Sequence, residues 1–176
     1  HIILLSIIDM LYFIYRLIAK EPTALYMNLC LHFISKWQSF DNAEKDNRLE
    51  AGVEAIIIQI FNSLKRTFGA DLIVGILAFL TFAVEGVTDT EMVDLLSLDD
   101  DILKFVFQYS TPKVRKLPYH VWLRVRSSLG TLLVEGEGGS YLWYHRQLKE
   151  VSNLFLSLLP PFLHQHLFYS RYLHIN

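Results

Sequence analysis

The sequence is short of cysteine: Cys30 is the only one in 176 residues. One thiol cannot close an intrachain disulfide or supply a multi-cysteine zinc site, and such usage fits a reducing compartment. The G-x-x-x-x-G-K-[ST] motif that cradles nucleotide phosphates is also missing, and so is an acidic Walker B strand. Excess charge is absent as well. The balance of 16 Lys and Arg against 18 Asp and Glu gives a net charge of −2, so no global field draws the chain to nucleic acid or to an anionic membrane. There is no internal repeat and no low-complexity tract. The first residue is His1 rather than Met, which reads as a piece of a longer chain or a processed product.

What is present is apolar. The chain is 52% hydrophobic and 19% charged, which excludes disorder as the default and suits one domain or two small ones. The opening HIILLSIIDMLYFIYRLIA raises a membrane question. Asp9 and Arg16 interrupt it, and each would cost about 2.5–3.5 kcal/mol at mid-bilayer. No basic leader or small-residue cleavage site makes it a signal peptide. Residues 1–19 are left unassigned, with a buried helix favoured over a membrane anchor.

Glu21-Pro22 breaks this run, because Pro disfavours helix in the residue before it and suits a first helical turn. From Thr23, Leu25, Leu29, Phe33 and Trp37 recur every four residues and make one helical face. The polar stretch SFDNAEKDN reads as a loop. LEAGVEAIIIQIFNSLKRTFG reads as a second helix, with Lys65 and Arg66 in its last turn and Gly69 at its end. DLIVGILAFLTFAVEG is almost wholly apolar and should be a buried helix, too short for a membrane span. Thr88 with Glu91 three residues on predicts a capping box, and Asp99 to Asp101 mark the start of another short helix. TPKVRKLP is a basic, proline-bracketed loop, and YHVWLRVRSSLG a helix ending at Gly130. LLVE and YLWY, separated by GEGGS, predict a β-hairpin. RQLKEVSNLFLSLL predicts a last helix, stopped at Pro160-Pro161; residues 156–176 stay unassigned. The expected fold is mainly α. A small helical domain over residues 20–68 is followed by a winged-helix domain over residues 69–155, with a two-stranded hairpin wing.

Few of these segments carry chemistry. GEGGS lacks the Lys-Ser/Thr of a phosphate loop and precedes a strand rather than a helix. Asp99, Asp100 and Asp101 have no spaced glycine or distal glutamate to complete a calcium loop. His164 and His166 have a metal-like spacing with no third ligand, and Ser127 and Ser128 lack a nucleophile elbow. Lys113, Arg115, Lys116, Arg124 and Arg126 form a basic group that a DNA-binding winged helix would use. Trp122, Leu123, Val125 and Leu129 make the same helix apolar, which favours a solvated or partner-facing surface over a duplex. His145 stands where the YLWY run turns into the helical RQLKE stretch. It could contact an anion, act as a base, or cap the change of structure by donating to a backbone carbonyl.

Three motifs occur in order: VEGVTDTEMVDLLSLDD, then LPYHVWLRVR, then YLWYHRQLKE. Together they resemble the winged-helix segment of NACHT-type STAND NTPases, of the kind that carries WD or TPR repeats. EPTALYMNLCLHFI is similar to the helical segment after the ATPase core in that family. The likeness covers residues 20 to 155. It implies a nucleotide held between the ATPase core, the small helical domain and the winged helix. Pro22 matches the proline that packs on the adenine, and His145 the histidine that contacts the ADP β-phosphate in the closed, resting state. It further implies a cytoplasmic signalling role as lid and sensor, with ADP or ATP as ligand of the whole protein. The ATPase core and repeat domains would be its partners, and copies would self-assemble on activation. Without a phosphate loop, no catalysis and no tight nucleotide binding are expected of this chain itself.

Overall fold

Thr23 opens the first helix in the computed structural model, which describes residues 15, 23–36, 49–108 and 115–158. Its backbone is extended and its hydroxyl accepts from the Tyr26 N–H at 3.3 Å, satisfying one of the orphan amides of helix α1, Ala24–Ile34. Leu25, Tyr26, Leu29 and Cys30 are buried along one stripe, and Phe33 is half-buried. The four-residue spacing thus marks the apolar face, widened by Tyr26 and Cys30. Trp37, the SFDNAEKDN loop and the segment 1–14 lie outside the described residues. Helix α2, Val53–Phe68, buries Ile56, Ile57, Ile60, Phe61 and Leu64 at helical spacing.

The chain divides into two compact units, His1–Ile60 and Phe61–Asn176, with the boundary inside α2. In the first, the Tyr26 hydroxyl donates to the Glu50 carbonyl at 2.9 Å, and the Glu50 amide donates to Gln59 Oε1 at 3.2 Å. The Cys30 thiol is pushed up by burial, which outweighs the hydrogen bond from Tyr26 that works the other way.

The second unit is built on helix α3, Ala70–Phe82, whose residues Leu72 through Thr81 are all buried. Each large aliphatic side chain taken out of water there contributes about 1.5–3 kcal/mol, so a helix apolar on every side belongs at the centre. The packing follows. Helix α3 lies against α4 (Asp89–Ser97), α5 (Asp100–Val106), strand β3 (Ser140–Trp143) and α7 (Arg146–Ser157). Helix α6, Tyr119–Leu129, packs on α4 and buries Trp122, Val125 and Leu129. Leu123 is instead exposed.

The start of α4 is the expected capping box. The Thr88 hydroxyl accepts from the Glu91 amide at 3.3 Å, and the Thr88 amide donates to Glu91 Oε2 at 2.8 Å. Those bonds from Thr88 hold the Glu91 carboxyl below its ordinary range. Asp99 starts α5, accepting from the amides of Asp101 and Ile102. The triple acid is a helix N-terminus, as its position in the sequence predicted.

The hairpin is present, with a strand that the sequence did not announce. Strand β2, Leu133–Glu135, pairs antiparallel with β3, and β1, Val87–Thr88, pairs with the other edge of β3. The sheet is therefore three-stranded, in the order β1-β3-β2. Two residues cannot show alternation; only pairing with Tyr141 and Ser140 makes β1 a strand. Gly138 and Gly139, both at positive φ, carry the turn. Gly86 (φ +86) sits so close to β3 that a Cβ there would come within 2.7 Å of the Tyr141 carbonyl, so only glycine lets β1 approach. Seven α-helices and this small sheet make the described chain mainly α with a hairpin wing. Pro160, Pro161, His164 and His166 fall outside the described residues. Among the described residues no helix is long and apolar enough to cross a membrane.

Candidate functional site

His145 stands between the end of β3 and the start of α7. Its backbone is extended (φ −139, ψ 142) and its Nδ1 accepts from the Gln147 amide at 3.2 Å. It is therefore a cap, but with the polarity opposite to the expected donation. A helix start presents unpaired N–H groups, not carbonyls, so the side chain placed there must accept. Acceptance at Nδ1 puts the proton of the neutral ring on Nε2. The ring is half-buried and lies 5.8 Å from that of Tyr144. Pro22, the other residue matched to a nucleotide contact, lies outside the described residues; Thr23, next to it, caps α1.

What fixes this joint is the strand before it. Trp143 donates its indole N–H to Thr81 Oγ1 at 3.2 Å. Thr81 Oγ1 also lies 2.6 Å from the Leu77 carbonyl and 2.8 Å from Ser152 Oγ, both buried contacts. The Trp143 ring packs 5.8 Å from Phe61, and Phe61 edge-on to Phe155 at 5.6 Å. These bonds and rings join α3, β3 and α7 in an interior from which water is excluded.

A second polar group holds the other end of β3, and no motif predicted it. Asp89, first residue of α4, accepts three donors from α6. Tyr119 Oη reaches Oδ2 at 2.8 Å, Trp122 Nε1 reaches Oδ1 at 2.7 Å, and Arg126 reaches Oδ2 at 2.6 Å. Arg126 also donates to Tyr141 Oη at 2.7 Å and lies 4.9 Å above the Tyr141 ring. Burial works to raise the Asp89 carboxyl, but the bonds from Trp122, Tyr119 and Arg126 outweigh it and hold it below the ordinary range. The Arg126 guanidinium is likewise disfavoured by burial and pulled up by Asp89; the Tyr119 hydroxyl is pushed up by donating to the same carboxylate. Residues 119, 122 and 126 share one helix face at i, i+3 and i+7, and that spacing of donors was the available signal.

The basic group is spread over several internal contacts. Arg115 meets Asp100 at 3.5 Å, Lys116 meets Asp94 at 2.7 Å, Arg126 meets Asp89, and Arg124 lies 5.6 Å over the Phe68 ring. Lys113 lies outside the described residues. The cations thus face different acidic or aromatic neighbours instead of converging on one surface, and no cluster of metal ligands occurs among the described residues.

The chain is similar to curated proteins. It is 32% identical over 131 residues to the mouse NACHT domain- and WD repeat-containing protein 1, and 31% identical to the human one, over 71% of its own length. It is 24% identical over 139 residues to the human NACHT and WD repeat domain-containing protein 2, over 77% of its length. The chain spans 8% of the length of these relatives. No family model and no solved structure matches it. The ordered motifs and these similarities point the same way: the chain is a relative of the NACHT-type proteins that carry WD repeats, matched to a short segment of them.

Proposed function

We propose that this chain is the regulatory lid and sensor arm of a NACHT-type signalling ATPase in the cytoplasm. It couples occupancy by ADP or ATP to domain opening and partner assembly, and it performs no phosphoryl transfer without an ATPase core. The observation that carries this reading is the geometry of His145. With Nδ1 engaged by the Gln147 amide, the neutral ring offers an Nε2–H donor at the N-terminal end of α7, where the helix dipole also favours an anion. A β-phosphate contacted there by the lid would favour the closed state, and its loss would shift the population towards the open one. Pro22 is assigned to the adenine side of the same nucleotide. The basic residues Arg115, Lys116, Arg124 and Arg126 are left to internal pairing, so a nucleic-acid role is not proposed.

Isothermal titration with ADP, in the full-length protein that joins this segment to its ATPase core, tests the reading. His145→Ala removes both the donor and the cap. His145→Asp keeps an N-cap but turns an anion towards the phosphate, which separates a folding defect from a lost contact. Both variants should weaken ADP by roughly ten- to a hundredfold, the worth of one charged hydrogen bond. Wild-type affinity in His145→Asp would remove the sensing role.

A further inference from the structure

Strand β3 carries His145 two residues beyond its last paired position, yet its own backbone pairing is slight. Its partner β1 has two residues and β2 has three. Strands this short do not hold register by themselves, so side chains must fix it. Tyr141 and Trp143 lie on one face of the strand, by alternation. Trp143 is tied to Thr81 in the interior. Tyr141 is tied to Arg126, and through it to Asp89. Asp89 directly follows β1, the strand that pairs with Tyr141.

The geometry points to Asp89, Arg126 and Tyr141 acting as a polar clasp that positions the wing strand, and with it the His145 joint, relative to α6. The clasp has the parts such a role needs. Asp89 gathers donors from one face of α6, so it reports where that helix lies. Arg126 bridges the carboxylate and the Tyr141 hydroxyl through one terminal nitrogen, Nη1, and also covers the Tyr141 ring. One guanidinium thus meets two elements at once, by hydrogen bond and by stacking. The Trp122 indole N–H, on a fully buried ring, is satisfied by the same carboxylate. A shift of α6 therefore cannot leave β3 where it was without parting charge-assisted bonds. This goes beyond the nucleotide reading of His145 and rests on it only for the consequence at the phosphate.

The test uses the ¹⁵N-labelled 176-residue chain and follows three resonances: the Trp122 indole, the Trp143 amide and the Gln147 amide, which reports the His145 cap. Tyr141→Phe removes one hydroxyl and keeps the ring, so it should fold. The clasp requires the Trp143 and Gln147 amides to move in that variant, and Arg126→Lys, which keeps the charge but not the planar group stacked on the Tyr141 ring, to move them the same way. In Asp89→Asn the protection of the Trp122 indole from exchange should fall roughly ten- to a hundredfold. If Gln147 and Trp143 stay in place in Tyr141→Phe while its melting temperature drops, the group is merely structural and the proposal is overturned. Return of the wild-type spectrum in Arg126→Lys would overturn the bridging role. ADP titration of Tyr141→Phe in the full-length protein keeps the two readings apart. A moved Gln147 amide with unchanged ADP affinity upholds the clasp and counts against the phosphate contact.

Discussion

The wing strand is held at its two ends by polar groups of opposite character. At Trp143 the fastening is neutral and buried: an indole N–H, two hydroxyls and a helix carbonyl. At Tyr141 it is charged and partly open to solvent, with the Arg126 and Asp89 side chains 25% and 27% exposed. The arrangement follows from what burial costs. Hydroxyls can satisfy one another in an apolar interior, whereas an ion pair taken wholly out of water loses more solvation than its attraction returns. The charged group therefore sits at the rim, where it can respond to pH and salt, and the neutral one sits inside, where it cannot.

Trp143→Ala should be the most damaging change, lowering unfolding free energy by about 3–5 kcal/mol in urea titration, because it empties the space beside Phe61. A smaller loss would mean that the neighbouring helices collapse onto the cavity. Thr81→Val keeps the shape and removes the hydroxyl that Trp143 and Ser152 meet. It should cost about 1–3 kcal/mol, by the same amount at pH 4 and pH 8, since no group in that cluster titrates between them.

Asp89→Asn should behave differently. The native Asp89 carboxyl lies below its ordinary value of 3.8, so its stabilisation is present above that value and is lost as the pH falls through the lower, folded one. Wild type should exceed the variant by about 1 kcal/mol at pH 7, and the gap should close below about pH 4. Melting curves across pH measure it; a gap that is flat with pH would break the contrast between the two ends. Lys116→Ala, which breaks an exposed pair with Asp94 on the same helix α4, should cost least, about 0.2–1 kcal/mol, and fade in high salt.

Much of the fold was legible because its signals are local. The Thr88–Glu91 box, the Asp99 cap, the helix ends at Gly69 and Gly130 and the glycine turn each lie within a few residues, and each is found in place. What could not be read spans the chain. Asp89 meets its partners 30, 33 and 37 residues away, and Thr81 meets Ser152 across 71. Periodicity says that a residue is buried or exposed, not which distant group it will find there. Arg126 illustrates the point: as one of five cations in a stretch it read as part of a solvated or partner-facing surface, and it is bonded to Asp89 and Tyr141 of its own chain. For His145 the sequence left three roles open, and the structure shows the capping one, with the hydrogen bond accepted and not donated.

The Thr81 hydroxyl has one proton and three neighbours, and simple valence orders them. The Trp143 indole can only give, and the Leu77 carbonyl can only take. When Thr81 gives its proton to the carbonyl, Ser152 must turn its own towards Thr81, and the oxygen is then saturated. Its vacancy is gone, so water has nothing to compete for. The inner end of the wing is thus a short relay that ends on the Leu77 carbonyl, closed to solvent for as long as α3 and α7 stay together.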